Sequence, residues 1–228
     1  KGIDMLVEKG MEQEEALYKV LKEMITASKN IRFEGDGYSD EWKEEAMRRG
    51  LTNISHVPEA IMRFNDSQSR EVLIGENIFN ENELICRIEV ELEKFTKKVQ
   101  IESRVLGDLA INHIVPTAVI YQNRLLENLR GLRETFSQVE YEMLGADRRE
   151  LVKEIQFRIL EIKQLVREMT EARRISNRLT SQVEKAYSYE EKVRPYMEQI
   201  REHIDHLELE IDDEIWPLPK YRELLFTK

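Results

Sequence analysis

Cysteine is almost missing from this chain. Cys86 stands alone among 228 residues, so an intramolecular disulfide and a cysteine-built metal site are both excluded. Long apolar runs are missing too. None approaches the ~20 residues that a membrane-spanning helix needs, and nothing reads as a signal peptide. The expected compartment is therefore the reducing cytoplasm. Basic charge is in deficit, and the net charge is −10. That argues against nucleic acid, whose binding depends on Lys and Arg at phosphates, and against an anionic membrane surface. Aromatic residues are scarce at 7%, whereas charged residues reach 35% and hydrophobic ones 41%. Such a mixture favours long helices over a sandwich or disorder.

The negative charge is concentrated near the end. Glu198, Glu202, Asp205, Glu208, Glu210, Asp212, Asp213 and Glu214 fall within residues 198–214, with Arg201 the one Lys or Arg among them. The chain opens at Lys1 without a methionine, directly into an amphipathic segment, which is the expectation for a fragment.

Apolar spacing supplies the elements. Residues 4–29 predict a helix interrupted near Gly10, with Leu17, Val20, Leu21, Met24 and Ile25 on one face. Ile31–Phe33 reads as a short extended stretch and Glu34-Gly35-Asp36-Gly37 as a turn. Ser39 caps a short helix that stops at Gly50. Residues 51–78 look like a seam. Asn80 with Glu83 then opens a long helix carrying Ile85, Ile88, Leu92, Phe95 and Val99, which Pro116 is expected to kink or break. Beyond it the stripe runs through Leu125, Leu129, Leu132, Phe136, Val139 and Met143 to Gly145. Asp147 with Glu150 restarts a helix over about 148–185, roughly 55 Å long at ~1.5 Å per residue. Ser188 with Glu191 opens the last one, and Trp216-Pro217-Leu218-Pro219 ends it.

Short connections make neighbours antiparallel, and the 3–4 spacing favours shallow crossings. The predicted fold is all-α: an elongated antiparallel bundle with long coiled-coil-like helices, preceded by a small helical segment containing the short extended stretch. The divisions expected are 1–78, 79–215 for the bundle and a tail over 216–228.

The chemistry is thin. Glu34-Gly35-Asp36-Gly37 lacks the spacing of a phosphate loop or the ligand series of a calcium loop. His203 and His206 share a helix among acids but lack the order of zinc proteases, and a solvated acidic face explains them better. A di-metal carboxylate bundle needs Glu three residues before His, whereas Ala110 and Ile200 stand there. No nucleophile arrangement can be assembled. No residue is therefore assigned a catalytic, cofactor-binding or metal-binding role. Extending the stripe does place Glu102 and His113 on the buried face. With Arg104 and Tyr121 as partners they form a candidate buried polar network, since buried polar groups without hydrogen bonds cost several kcal/mol. Gly107 would permit close approach by another helix.

The run Phe33-Glu34-Gly35-Asp36-Gly37-Tyr38-Ser39-Asp40-Glu41-Trp42, continuing through Glu45-Ala46 to Arg49-Gly50-Leu51, resembles the segment following the catalytic core of type III glutamine synthetases. Gln100-Ile101-Glu102, Arg104-Val105-Leu106-Gly107-Asp108, Asn112-His113-Ile114 and Pro116-Thr117-Ala118 resemble it too, as does Trp216-Pro217-Leu218-Pro219. The resemblance implies a parent enzyme that joins ammonia to glutamate using ATP and Mg or Mn, with its ligands upstream of this segment. Residues 1–78 would then close the catalytic domain. The bundle would serve assembly with the chain's own catalytic domain and identical subunits into a ring-shaped homo-oligomer, and no cofactor would belong to this fragment. The alternatives are a free-standing coiled-coil interaction module and, more remotely, a helical metalloenzyme using His203 and His206.

Overall fold

Apolar stripes at helical spacing set the helices, and side-chain caps at Ser39, Asn80, Ser137 and Ser181 open four of them. The structure, a computed structural model, describes residues 2–225 and contains no strand among them, so the all-α class holds. Contacts divide the chain into two units, Lys1–Ser55 and His56–Lys228.

In the first unit α1 (Gly2–Glu8) and α2 (Gln13–Ala27) are separated at Gly10. Its φ of +91° is open to glycine and strained for other residues, which places the interruption where the sequence predicts it. A 3₁₀ turn, Ser28–Ile31, follows, and the backbone is extended at Arg32 without forming a strand. Asp36 Oδ1 accepts the Tyr38 amide at 2.9 Å and closes the Gly35–Gly37 turn. Ser39 Oγ accepts the Trp42 amide and caps α3 (Asp40–Arg48). The Phe33 and Trp42 rings pack at 4.6 Å, with the Arg49 guanidinium beside both.

The second unit begins earlier than the boundary read at residue 78. α4 (Val57–Met62) and α5 (Ser67–Gly75) set Ile61, Met62, Leu73 and Ile74 against Leu84, Ile88 and Leu92. Those last residues lie on α6 (Glu81–Leu109), which Asn80 and Glu83 open with a full capping box.

Pro116 does not break this helix. Residues 110–114 widen into a π-turn, in which the Val115 amide reaches back five residues to the Ala110 carbonyl, and α7 (Val115–Thr135) continues. An α-helical proline clashes with the carbonyl four residues back and cannot donate to it; one wider turn removes both conflicts. The same device recurs at Pro195. There Tyr189–Val193 form a π-turn, and the Arg194 amide donates to the Tyr189 carbonyl.

The stripe expected to run unbroken to Gly145 is interrupted at Phe136. Ser137 and Glu140 form a capping box and start α8 (Gln138–Leu144). Next, α9 (Ala146–Asn177) begins at Gly145 without a side-chain cap, so Asp147 and Glu150 do not open it. It ends eight residues short of 185, because Ser181 accepts the Glu184 amide and starts α10 (Gln182–Ser188). Ser188 is therefore not a helix start. It is buried, and the chain passes through the π-turn into α11 (Arg194–Glu210) and later α12 (Tyr221–Leu224).

Paired positions show the antiparallel arrangement. Gln100 meets Asn177, Gly107 approaches Met169, and Gln122 reaches the Val152 carbonyl, so α6–α7 descends as α9 climbs. Ser176–Ser188 and Arg158–His203 show the same for α9 and the α10–α11 arm. The core lies between these arms. Ile155, Ile159, Ile162 and Met169 of α9 pack with Ala110, Ile114, Tyr189, Ile200 and Leu207. Each buried Ile, Leu or Met there contributes roughly 1.5–3 kcal/mol. Trp216 packs there too, so the segment read as a tail begins inside the core.

Candidate functional site

The residues proposed from sequence as a buried network are not brought together in the core. Glu102, Arg104 and His113 are exposed, and Tyr121 is half-buried against the apolar cluster. Glu102 has Lys98 at 4.0 Å on its own helix. The stripe was misplaced by one position: Ser103 is fully buried, and its hydroxyl donates to the Gln100 carbonyl at 3.1 Å.

Buried polar groups gather instead around the π-turn Tyr189–Val193. Tyr189, completely buried, donates its hydroxyl to Asn177 Oδ1 at 2.8 Å. Gln100 Nε2 donates to the same oxygen at 3.1 Å, joining α6, α9 and the π-turn. Burial pushes the Tyr189 hydroxyl above the usual tyrosine range; nearby Arg173 and the bonds to Asn177 and Gln100 oppose the shift. Beneath it Ser176 donates to the Ala172 carbonyl at 2.9 Å, which leaves Ser188 as donor in the 2.8 Å contact between the two hydroxyls.

The next residue of the same turn is Glu190, 6% exposed. Its carboxylate receives Arg194 at 2.9 and 3.2 Å and faces His56 Nδ1 at 2.9 Å. Sequence reasoning passed over Tyr189, Asn177 and Glu190. The signal was faint, because their partners lie on other helices or far away in the sequence.

His203 does not act with His206. Arg158 donates to its Nδ1 at 3.2 Å, while His206 is exposed. Burial, then the Arg158 charge, holds His203 below the ordinary histidine range, partly opposed by Glu161 and Glu202. Gly107 does face a neighbour as expected, but at 3.5 Å a Cβ would make ordinary contact with Met169 and Val166.

These polar groups bond mainly to one another and hold helices together within an all-helical unit. The glutamine synthetase C-terminal domain family profile matches residues 16–133, just over half of the chain, and the chain belongs to that family. It is 70% identical over 227 residues to a glutamine synthetase of Bacteroides fragilis (strain YCH46), covering 100% of this chain and 31% of that protein. It is also 29% identical to the type-3 glutamine synthetase of Dictyostelium discoideum, across 93% of this chain and 29% of that protein. A glutamine synthetase of Butyrivibrio fibrisolvens is 32% identical over 53% of this chain and 17% of its own length. The chain thus spans less than a third of each of these relatives. No helix among the described residues is long and apolar enough to cross a membrane.

Proposed function

We propose that this chain is the helical structural and assembly part of a type III glutamine synthetase, and that the ligase site lies elsewhere in the parent polypeptide. The type rests on the likeness to the Dictyostelium protein together with the motifs quoted above. The parent enzyme joins ammonia to glutamate with ATP and Mg or Mn in the cytoplasm. Its partners through this region are its own catalytic domain and identical subunits of a ring. Among the described residues no group of three or more His, Cys, Asp or Glu is arranged to hold a metal ion.

The observation that carries the assembly role is apolar surface at helical spacing. Ile101 and Val105 on α6, and Val139 and Met143 on α8, are all exposed, Val139 by 80%. With Leu106, Leu109 and Met197, the first pair lines a groove of about 470 Å³. Patches of this kind mark contact surfaces.

Val105→Glu with Val139→Glu in the full-length enzyme tests the reading. Both sites are exposed, so the 228-residue chain should melt unchanged, while light scattering should show a smaller assembly. An oligomer of unaltered size with full activity would refute the assembly role. The isolated chain should give no γ-glutamyl transfer, and robust turnover would refute the placement of the ligase site.

A further inference from the structure

Two arginines face each other across the α6–α9 pair without a carboxylate between them. Gln100 bonds to Asn177; one turn on, four residues later on α6 and four earlier on α9, stand Arg104 and Arg173. Two like charges so placed repel each other. Here the nearby acids are engaged elsewhere: Asp108 with Asn112, Glu102 with Lys98, Glu168 with Gln164 and Glu171 with Arg174.

Arg173 is also desolvated without compensation. Its Nε is sealed from solvent and has no acceptor. Burial first, and then the Arg104 charge, holds this guanidinium below the ordinary arginine range, with Tyr189 opposing. A half-buried cation beside a second cation is stabilised by an external anion, and two guanidinium forks suit a planar or tetrahedral oxyanion.

We propose that Arg104 and Arg173 form an oxyanion-binding clamp, taking a carboxylate or phosphate group. The anion comes either from a free small molecule or from an acidic side chain of a second copy of this chain. The clamp is argued from these side chains and does not rest on the apolar surfaces cited above for assembly.

The test follows the Arg173 Nε–Hε resonance of the ¹⁵N-labelled 228-residue chain. Inorganic phosphate and, separately, acetate are titrated at ionic strength held constant with chloride. A free-anion site shows a saturable shift, weakened about tenfold or more in Arg104→Gln, as loss of one charge-assisted fork implies. Arg130→Gln, on another helix face, leaves it unchanged. A site filled by a second copy instead shows concentration-dependent association in light scattering, reversed by phosphate and lost in Arg104→Gln. Arg104 is exposed, so that variant should keep its melting temperature, and Arg104→Lys provides a second variant if it does not. The clamp is overturned if phosphate and acetate act no differently from chloride and association is absent or indifferent to Arg104.

Discussion

The Tyr189 hydroxyl donates to Asn177 Oδ1 at 2.8 Å, tying the π-turn before α11 to the last turn of α9. Tyr189 and Glu190, adjacent in sequence, are both buried and bond to different partners.

Removing the hydroxyl with Tyr189→Phe should destabilise the chain by about 1–2 kcal/mol, because Asn177 keeps only Gln100 as partner. Urea unfolding monitored by circular dichroism measures it. The raised pKa adds a pH signature. A proton held more tightly in the folded state stabilises it fully below the unfolded value near ~10, and that contribution is lost as pH rises toward the folded value. Tyr189→Phe should therefore flatten the alkaline fall in stability. An unchanged alkaline limb would count against this account.

His203 shifts the other way, for the opposite reason of charge. Its neutral form is favoured in the fold, so the contribution is present above the unfolded value near ~6.5 and lost as pH falls below it. Melting temperatures between pH 8 and pH 5 should fall less in His203→Gln than in the parent chain. Equal falls would show that carboxylates alone set the acid limb.

Glu190 and Arg194 should respond unequally. Arg194→Met leaves a buried carboxylate facing His56 alone and should cost about 3 kcal/mol, as broken buried pairs do. Glu190→Gln leaves a partly exposed guanidinium and an amide that still accepts, and should cost roughly half as much or less. Denaturant midpoints of the two variants decide it, and equal losses would contradict the asymmetry.

Gly107→Ala should raise stability by about 0.5–1 kcal/mol, because alanine orders the helix at lower entropic cost and its methyl meets Met169 and Val166 at an ordinary distance. Gly145→Ala should do the reverse: its Cβ would sit 3.0 Å from the Tyr141 carbonyl oxygen. Thermal melts of both variants check the contrast.

Local chemistry was legible in the sequence wherever it acts within a few residues. The Ser39 cap, the Asn80–Glu83 box and the Gly10 interruption are contests between a side chain and its own neighbouring backbone, and each is observed. The same kind of signal misled at Ser188, whose spacing to Glu191 imitates a cap. Ser181 supplies the cap instead, while Ser188 is bonded to Ser176, twelve residues away.

Composition and spacing by themselves determined an all-helical chain with its apolar residues on stripes, because both depend on near neighbours and on the 3.6-residue period. Tertiary structure alone decided the helical phase beyond each proline. Pro116 and Pro195 demand that the preceding turn yield, and only packing against α9 settles that it widens into a π-turn rather than breaking. That added residue shifts every later side chain around the axis. Packing likewise decides that Tyr189 and Glu190 are buried, while Glu102 and His113, expected on the buried face, face solvent.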